Sequence, residues 1–523
     1  MLSKMDERPA HETTMDELLL QAGGLGRCQL LVTAYAFVVW AVHGAQVMSM
    51  VFVGPAAAEE YASDGTAIKL SGSYFFAGWL VGLAVWGRLA ARRGWMVALS
   101  AELLAAGLFG IATAFAGSGK QYLASRFLCG FAEGGVPTTI FGWAGEFLLP
   151  EHKPRCLLFL QIGFKVGSLL VTLGAYAGGH EHWRALSGAV SVAALPLAFV
   201  AALLAPESPR WLMAKGHVDE AVKVLDLVAK INGKATDDAE GAEGAGAAEG
   251  ASCRSNGRAT LDTPSPPGGH AARLVSFAAS SRVQSSSIND AAAKDGAAKD
   301  GLLRPPKSRP SFVTLMLDEQ PLRQVMLALC LHWFTYAAMF FGLSLHEASD
   351  VAETAIAVAL QIPGILLTVW CFDRYGRSST MRILLCAAAL SCTAIAIESS
   401  MGTLRIRASR RFHAAFSTLG MVFMSSAFAG GYVLSSEVLP TEVRAMGLST
   451  CSQVGRIGGF FSPMLLLLGG KGVAIPYTIW AALSFGAALA TLWLPETLGE
   501  PSLETVDDLR ALVTRKASWR HLR

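Results

Sequence analysis

The chain has 523 residues, 52% of them apolar and only 16% charged, with a mean hydropathy of +0.42. That balance excludes a soluble globular protein of this length and makes the bilayer its solvent. A formal net charge of +3 argues against a nucleic-acid surface or an acidic polymeric partner.

The first 24 residues are polar and acidic-amphipathic, with no charged n-region ahead of an apolar h-region, so no cleavable signal peptide is expected. Because a helix rises about 1.5 Å per residue, a hydrocarbon core of about 30 Å needs roughly 20 apolar residues to cross it. Windows of that length predict spans near 29–52, 72–90, 95–116, 121–144, 157–178 and 184–205, and a second set near 324–345, 351–372, 381–399, 412–434, 446–469 and 474–494. After the first set, Val218 to Ile231 places apolar residues at helical spacing among charges and predicts an amphipathic helix on the membrane face. Residues 232–311 are Ala-, Gly-, Ser- and Pro-rich and cannot bury enough apolar surface to offset their ordering entropy. The expected organisation is thus an all-α membrane protein of 12 transmembrane helices. Residues 1–231 would form an N-terminal six-helix bundle with a cytoplasmic tail, 232–311 a disordered cytoplasmic linker, and 312–523 a C-terminal six-helix bundle with its own tail.

Lys and Arg lie mostly on the side of both termini, which predicts that side to be cytosolic. A cluster at Arg405, Arg407, Arg410 and Arg411 dissents, falling on the opposite side. The nine cysteines, without a CxxC pair, read as packing residues rather than a disulfide frame. No nucleotide-binding loop, metal cluster or nucleophile triad is visible, so neither an enzyme nor an ATP-driven pump is expected, and no cofactor or metal is assigned.

Basic turns join spans two and three (GRLAARRGWM, with Arg88, Arg92 and Arg93) and spans eight and nine (DRYGR, with Asp373, Arg374 and Arg377). Their matching positions in two six-span halves resemble the major facilitator superfamily, which implies two pseudo-symmetric bundles and a latch at these conformational-switch loops. The first turn departs from that pattern, with Ala91 where the family usually has an aspartate and Trp95 and Met96 where it usually has basic residues. RFLCGFAEGGVP, GEFLLP, PESPRWL, YVLSSEVLPTEVRAMGL and LPETLGEPSLETVDDL follow in order at span ends. Together they resemble the branch containing synaptic vesicle 2-related proteins and the organic anion and cation transporters. A short first outer loop (Gly54 to Lys69) and the lack of any Asn-x-Ser/Thr acceptor resemble the vesicle-related side.

Charged and polar groups in hydrocarbon are costly, so each one retained is a candidate for function. The resemblance implies that spans one, four, seven and ten line the cavity, making His43, Gln46, Glu133, Trp333 and Tyr336 substrate-contact candidates. His43 and Gln46 stand where the vesicle-related family usually has two acids; the imidazole is a candidate for pH sensitivity or for a hydrogen bond between helices. Glu133 and Lys165, at similar depth, are candidates for an intramembrane ion pair or for cavity ligands. Arg456 matches a position that the resemblance implies selects substrate charge, with helix packing as its alternative role. The expected function is secondary carriage of a small organic solute, an organic anion, with or without a coupling ion, by a monomer in the plasma membrane or a vesicle membrane. The alternative is a non-transporting receptor or vesicle constituent of the same fold.

Overall fold

The computed structural model describes residues 15–62, 66–234, 312–346, 351–402, 406–469, 472–500 and 503–520. The expected linker lies outside the described residues from 235 onward, as does Arg405. The described residues are helical throughout and contain no strand, as a chain without water to satisfy its backbone requires. The N-terminal half runs α1 (Met15–Gln21), α2 (Arg27–Glu60), α3 (Ser71–Arg93), α4 (Trp95–Ala114), α5 (Gly119–Glu133), α6 (Val136–Glu146), α7 (Lys153–Gly178), α8 (Trp183–Val192), α9 (Ala194–Leu203), α10 (Pro209–Ala214) and α11 (Val218–Ile231). The C-terminal half runs α12 (Phe312–Asp318), α13 (Gln320–His346), α14 (Val351–Tyr375), α15 (Arg377–Met401), α16 (Ile406–Val438), α17 (Thr441–Leu468), α18 (Ala474–Ala490) and α19 (Val506–Arg520). Leu30, Leu108, Leu204, Ile383 and Leu390 are among many large apolar side chains left exposed on these helices, a belt that only lipid can cover.

Ten helices are long and apolar enough to cross a membrane, against the twelve spans expected. The two that fall short by that measure are the fourth and eleventh. The fourth is divided at Gly134–Gly135 into α5 and α6, each under 18 residues, and the eleventh, α17, carries Glu442, Arg444 and Arg456. The sixth span is one path broken in register at Ala193 between α8 and α9.

At the face that bears both termini, the two halves repeat one device. After α3, Gly94 takes φ +102° and the Glu207 carboxylate accepts from the Met96 N–H at 3.1 Å. After α14, Gly376 takes φ +93° and Glu496 accepts from the N–H groups of Arg377 (2.7 Å) and Ser378 (3.1 Å). A carboxylate from the segment after the sixth or twelfth span thus caps the orphan donors of the third or ninth. The halves differ at the next residue. Arg377 reaches Glu437 at 3.1 Å, with Asp373 at 3.8 Å, whereas Trp95 occupies the corresponding place and packs on Gly142. Glu496→Ala is expected to remove a helix cap at a cost of about 0.5–2 kcal/mol. Thermal unfolding in detergent checks this: a lowered midpoint with Glu496→Gln lying between parent and alanine is the expected order.

The N-terminal bundle is further clipped at this face by Asn232, whose amide donates to the Ala22 carbonyl (2.8 Å) and accepts from the Cys28 N–H (2.8 Å). Between the bundles, α3 packs on α17 and α14 on α7. Ser73 donates to the Phe460 carbonyl at 2.8 Å and Phe76 meets Phe341 with ring centroids 4.7 Å apart. One core cluster joins Val47, Phe52, Phe75, Phe76 and Trp79 to the C-terminal bundle. A second cluster, containing Val32, Val39, Leu99, Ile140 and Trp143, stays within the N-terminal bundle. The bundles therefore share a core toward the face opposite the termini and keep separate cores toward the terminal face.

Candidate functional site

Halfway along α2, one helical face turns Trp40 and His43 inward. His43 is 1% exposed and its Nδ1 pairs with the Oε2 of Glu133, itself 2% exposed, at the last residue of α5. The imidazole stacks on Trp40 (centroids 4.6 Å) and meets the edge of Trp79 at 5.3 Å. A buried carboxylate needs such a partner, since an isolated charge here would lose its hydration without compensation.

The same His43 borders a cavity between the bundles of about 40 Å³, room for a few waters or a carboxylate-sized group, since one water needs about 10–15 Å³ on this measure. Its walls are aromatic: Trp40, Trp79 and Phe164 from the N-terminal half face Phe340, Phe341, Phe428 and Tyr432 from the C-terminal half. Two cations enter it from opposite bundles. Lys165 of α7 is 6% exposed, and its ammonium lies 4.1 Å from the Phe340 ring centroid and 5.1 Å from that of Phe164. Arg456 of α17 is 3% exposed, with its guanidinium 4.2 Å from the Trp79 centroid. Ring faces hold both by cation–π attraction, worth about 2 kcal/mol or more when desolvated. Neither makes an ion pair among the described residues, and no carboxylate is among the cavity's lining side chains. Trp40 Nε1, Gln161 Nε2, Ser425 Oγ and Arg456 Nε, all on lining residues, are buried without a hydrogen-bond partner, the pattern of a site prepared for a polar guest. Toward the terminal face the cavity is bounded by Phe141 of α6 stacked on Tyr432 of α16, 5.9 Å apart at 12°.

One expected pairing is overturned, and the other candidates separate into those on the cavity lining and those off it. Glu133 does not pair with Lys165; it takes His43, and Lys165 turns to the cavity instead. Gln46 is buried but off the cavity lining, with its Oε1 unpartnered. Trp333 and Tyr336 stand behind the lining rather than in it. Trp333 donates to Ser435 Oγ at 3.0 Å and abuts Tyr432 at 4.6 Å, while Tyr336 backs Phe428 at 5.8 Å. His43 and Arg456 line the cavity; Glu133 reaches it through His43. Of the switch-loop residues, Arg88, Arg92, Arg93 and Arg374 are exposed and make no ion pair among the described residues, while Asp373 and Arg377 join the Glu437 network. Sequence reasoning missed Trp79, Gln161, Phe164, Phe340, Phe428 and Tyr432; the one available signal was that Gln161 is a polar residue near the middle of an apolar span.

A family profile described as "Sugar (and other) transporter" matches residues 31–259 and 313–508. An organic cation transporter protein of Drosophila melanogaster is 28% identical over 444 residues, covering 84% of this chain and 70% of that protein. A synaptic vesicle 2-related protein of Bos taurus is 25% identical over 527 residues, covering 94% and 82%. Among solved structures, the inward open conformation of the xylose transporter XylE from E. coli matches with a TM-score of 0.63 at 17% identity, covering 92% of this chain and 99% of that one.

Proposed function

Because this chain belongs to the sugar (and other) transporter family and has the major facilitator fold of a multi-pass membrane transporter, we propose that it carries a small aromatic or otherwise apolar-bodied organic anion by alternating access. One observation carries the reading: two buried cations, Lys165 and Arg456, face one aromatic cavity from opposite bundles with no carboxylate lining it. A carboxylate entering between them gains charge-assisted hydrogen bonds in a low dielectric and neutralises both. A cation would meet like charge at the same point. The anion bridges the two bundles, so its binding can bias the equilibrium between the arrangements that open to each side. The cavity of the described arrangement is too small for an organic body, so the aromatic walls must part to admit one. The Phe141–Tyr432 stack is the seam on the terminal side, where the bundles keep separate cores. With the termini cytosolic, this seam is on the inner side, and the plasma membrane or a vesicle membrane is the protein's site of action.

The experiment is uptake into liposomes holding the purified protein, with labelled salicylate, tetraethylammonium and glucose compared. Salicylate uptake above empty liposomes is the expected result, and Lys165→Met should reduce it at least about tenfold by removing one charged hydrogen bond worth about 1.5–3 kcal/mol. Uptake of tetraethylammonium or glucose in its place overturns the anion reading. No uptake of any of the three favours the receptor-like alternative, which the substitution of Trp95 for a basic residue in the first switch loop also supports.

A further inference from the structure

Beside the core that the bundles share toward the face opposite the termini, the N-terminal bundle buries a third cation. Arg126 of α5 is 3% exposed. It stands seven residues from the start of that helix, about 10 Å along its axis, and its guanidinium lies 5.0 Å from the Phe75 ring centroid. Phe75 meets the edge of Trp79 at 5.6 Å, so one ring separates Arg126 from the cavity that Trp79 lines. Arg126 itself is off that lining. No described carboxylate pairs with it: Glu133, on the same helix, takes His43, and Glu60, at the end of α2, takes Arg184. Its Nε and Nη2 are buried with no hydrogen-bond partner. One turn earlier on α5, Tyr122 is 0% exposed, and its hydroxyl lies beside the Ser71 side chain within electrostatic reach of Arg126.

We propose that Arg126 and Tyr122 hold a small inorganic anion, of the size of chloride, as the counter-ion that no described residue supplies. An arginine, unlike a lysine, keeps its charge however deeply it is buried, and a buried charge with neither counter-ion nor hydrogen bonds is among the most costly groups a fold can carry. The Phe75 ring offsets part of that cost by cation–π attraction and leaves the two guanidinium donors unmet. Water could meet the donors, yet the charge would remain unbalanced. An anion does both, taking N–H bonds from Nε and Nη2 and an O–H bond from Tyr122. An organic solute does not fit this place, because Phe76 against Phe341 and the Ser73 hydroxyl on the Phe460 carbonyl close the same level between the bundles. The bound anion ties α5 to α3 where that closure is made. It is separate from Lys165 and Arg456, so the site stands whether or not the carried solute is an anion.

Thermal unfolding of the purified full-length protein in detergent, titrated with sodium chloride against sodium gluconate at constant ionic strength and without organic solute, tests this directly. Chloride should raise the midpoint along a saturating curve, as a ligand of the folded state does. The half-saturating concentration should rise at least about tenfold in Arg126→Gln and in Tyr122→Phe, each of which removes a donor to the anion. It should keep the parent value in Lys165→Met, which alters the cavity alone. In gluconate, Arg126→Gln should melt no lower than the parent, because it removes a charge that nothing balances; an arginine serving packing alone would lower the midpoint equally in both salts. If Arg126→Gln does not fold, Tyr122→Phe reads the same site with the ring and its packing kept. No chloride shift in the parent, or a half-saturation unchanged by the Arg126 and Tyr122 substitutions, overturns the proposal. A shift lost in Lys165→Met does so too, by placing the anion in the cavity, and stabilisation by sodium salicylate that disappears in Arg126→Gln overturns the inorganic assignment. Failure of salicylate uptake alongside an intact chloride shift would sink the anion-carrier reading and leave this one standing.

Discussion

Replacing Arg456 by Asp is expected to abolish salicylate uptake in liposomes while leaving the protein folded and inserted. The guanidinium is buried, lies over the Trp79 ring, and keeps its Nε without a hydrogen-bond partner. Removing a charged hydrogen-bond partner costs about 1.5–3 kcal/mol, or roughly 10–150-fold in apparent affinity; an aspartate adds repulsion of the incoming carboxylate to that loss. The fold should survive because Arg456 holds no ion pair whose partner would be stranded. Arg456→Lys should retain part of the activity, since an ammonium keeps the charge and loses the planar fork that takes a carboxylate with two parallel bonds. If Arg456 served packing alone, Arg456→Lys and Arg456→Asp would both aggregate. Normal salicylate uptake by a monodisperse Arg456→Ala protein would remove the arginine from the site.

Gly130→Val is expected to prevent recovery of folded protein. α3 and α5 approach so closely that a Cβ at Gly130 would enter the Phe75 carbonyl, and one at Gly78 the Phe127 carbonyl. The obstacle in both cases is backbone of the facing helix, which cannot swing aside as a side chain can. Small residues at helix crossings let membrane helices gain close van der Waals contact where no hydrophobic drive exists. Overpacking a tight core costs about 1–3 kcal/mol and more where nothing can relax, and here the displaced contact carries Glu133 with it. Gly87→Val, on the same helix α3 with nothing within 4 Å of its Cβ position, should fold normally. Size-exclusion profiles of the two variants, side by side, check the contrast; equal recovery would show that the α3–α5 crossing yields.

Hydropathy made ten of the twelve expected spans legible as long apolar runs, which burial in lipid demands; the fourth and eleventh, with charges inside them, fall short by that measure. The basic turns and the Pro-Glu segments were legible as motifs. Their physical role, Glu207 and Glu496 capping helices that begin far away in sequence, was not, since nothing local marks a long-range cap. In the site, depth was readable and azimuth was not. Glu133 and Lys165 were placed at one level by counting residues, yet rotation about the helix axes directs one to His43 and the other to the cavity. The aromatic walls escaped for a related reason: Phe164, Phe340 and Phe428 have the same hydropathy whether they meet lipid, a neighbouring helix or a solute. Arg456 stood out because a charge at that depth needs a reason in any environment.

The helix broken at Gly134–Gly135 bears on how the chain enters the membrane during synthesis. Lys120, Arg126, Glu133 and Glu146 all lie on α5 and α6; Lys120 and Glu146 stand at the ends of the stretch, whereas Arg126 and Glu133 lie inside it, where a charge costs about 2.5–3.5 kcal/mol on insertion. Broken into pieces of 15 and 11 residues, that stretch is absent from the ten helices long and apolar enough to cross, so its entry is expected to lean on neighbouring helices. It is expected to enter against α3 and α4, which precede it in the chain, the glycines of α3 offering the close groove and Glu102 of α4 accepting from the Thr139 hydroxyl. The residues that give the N-terminal bundle its buried chemistry are thus expected to tie the insertion of the fourth span to that of the second and third.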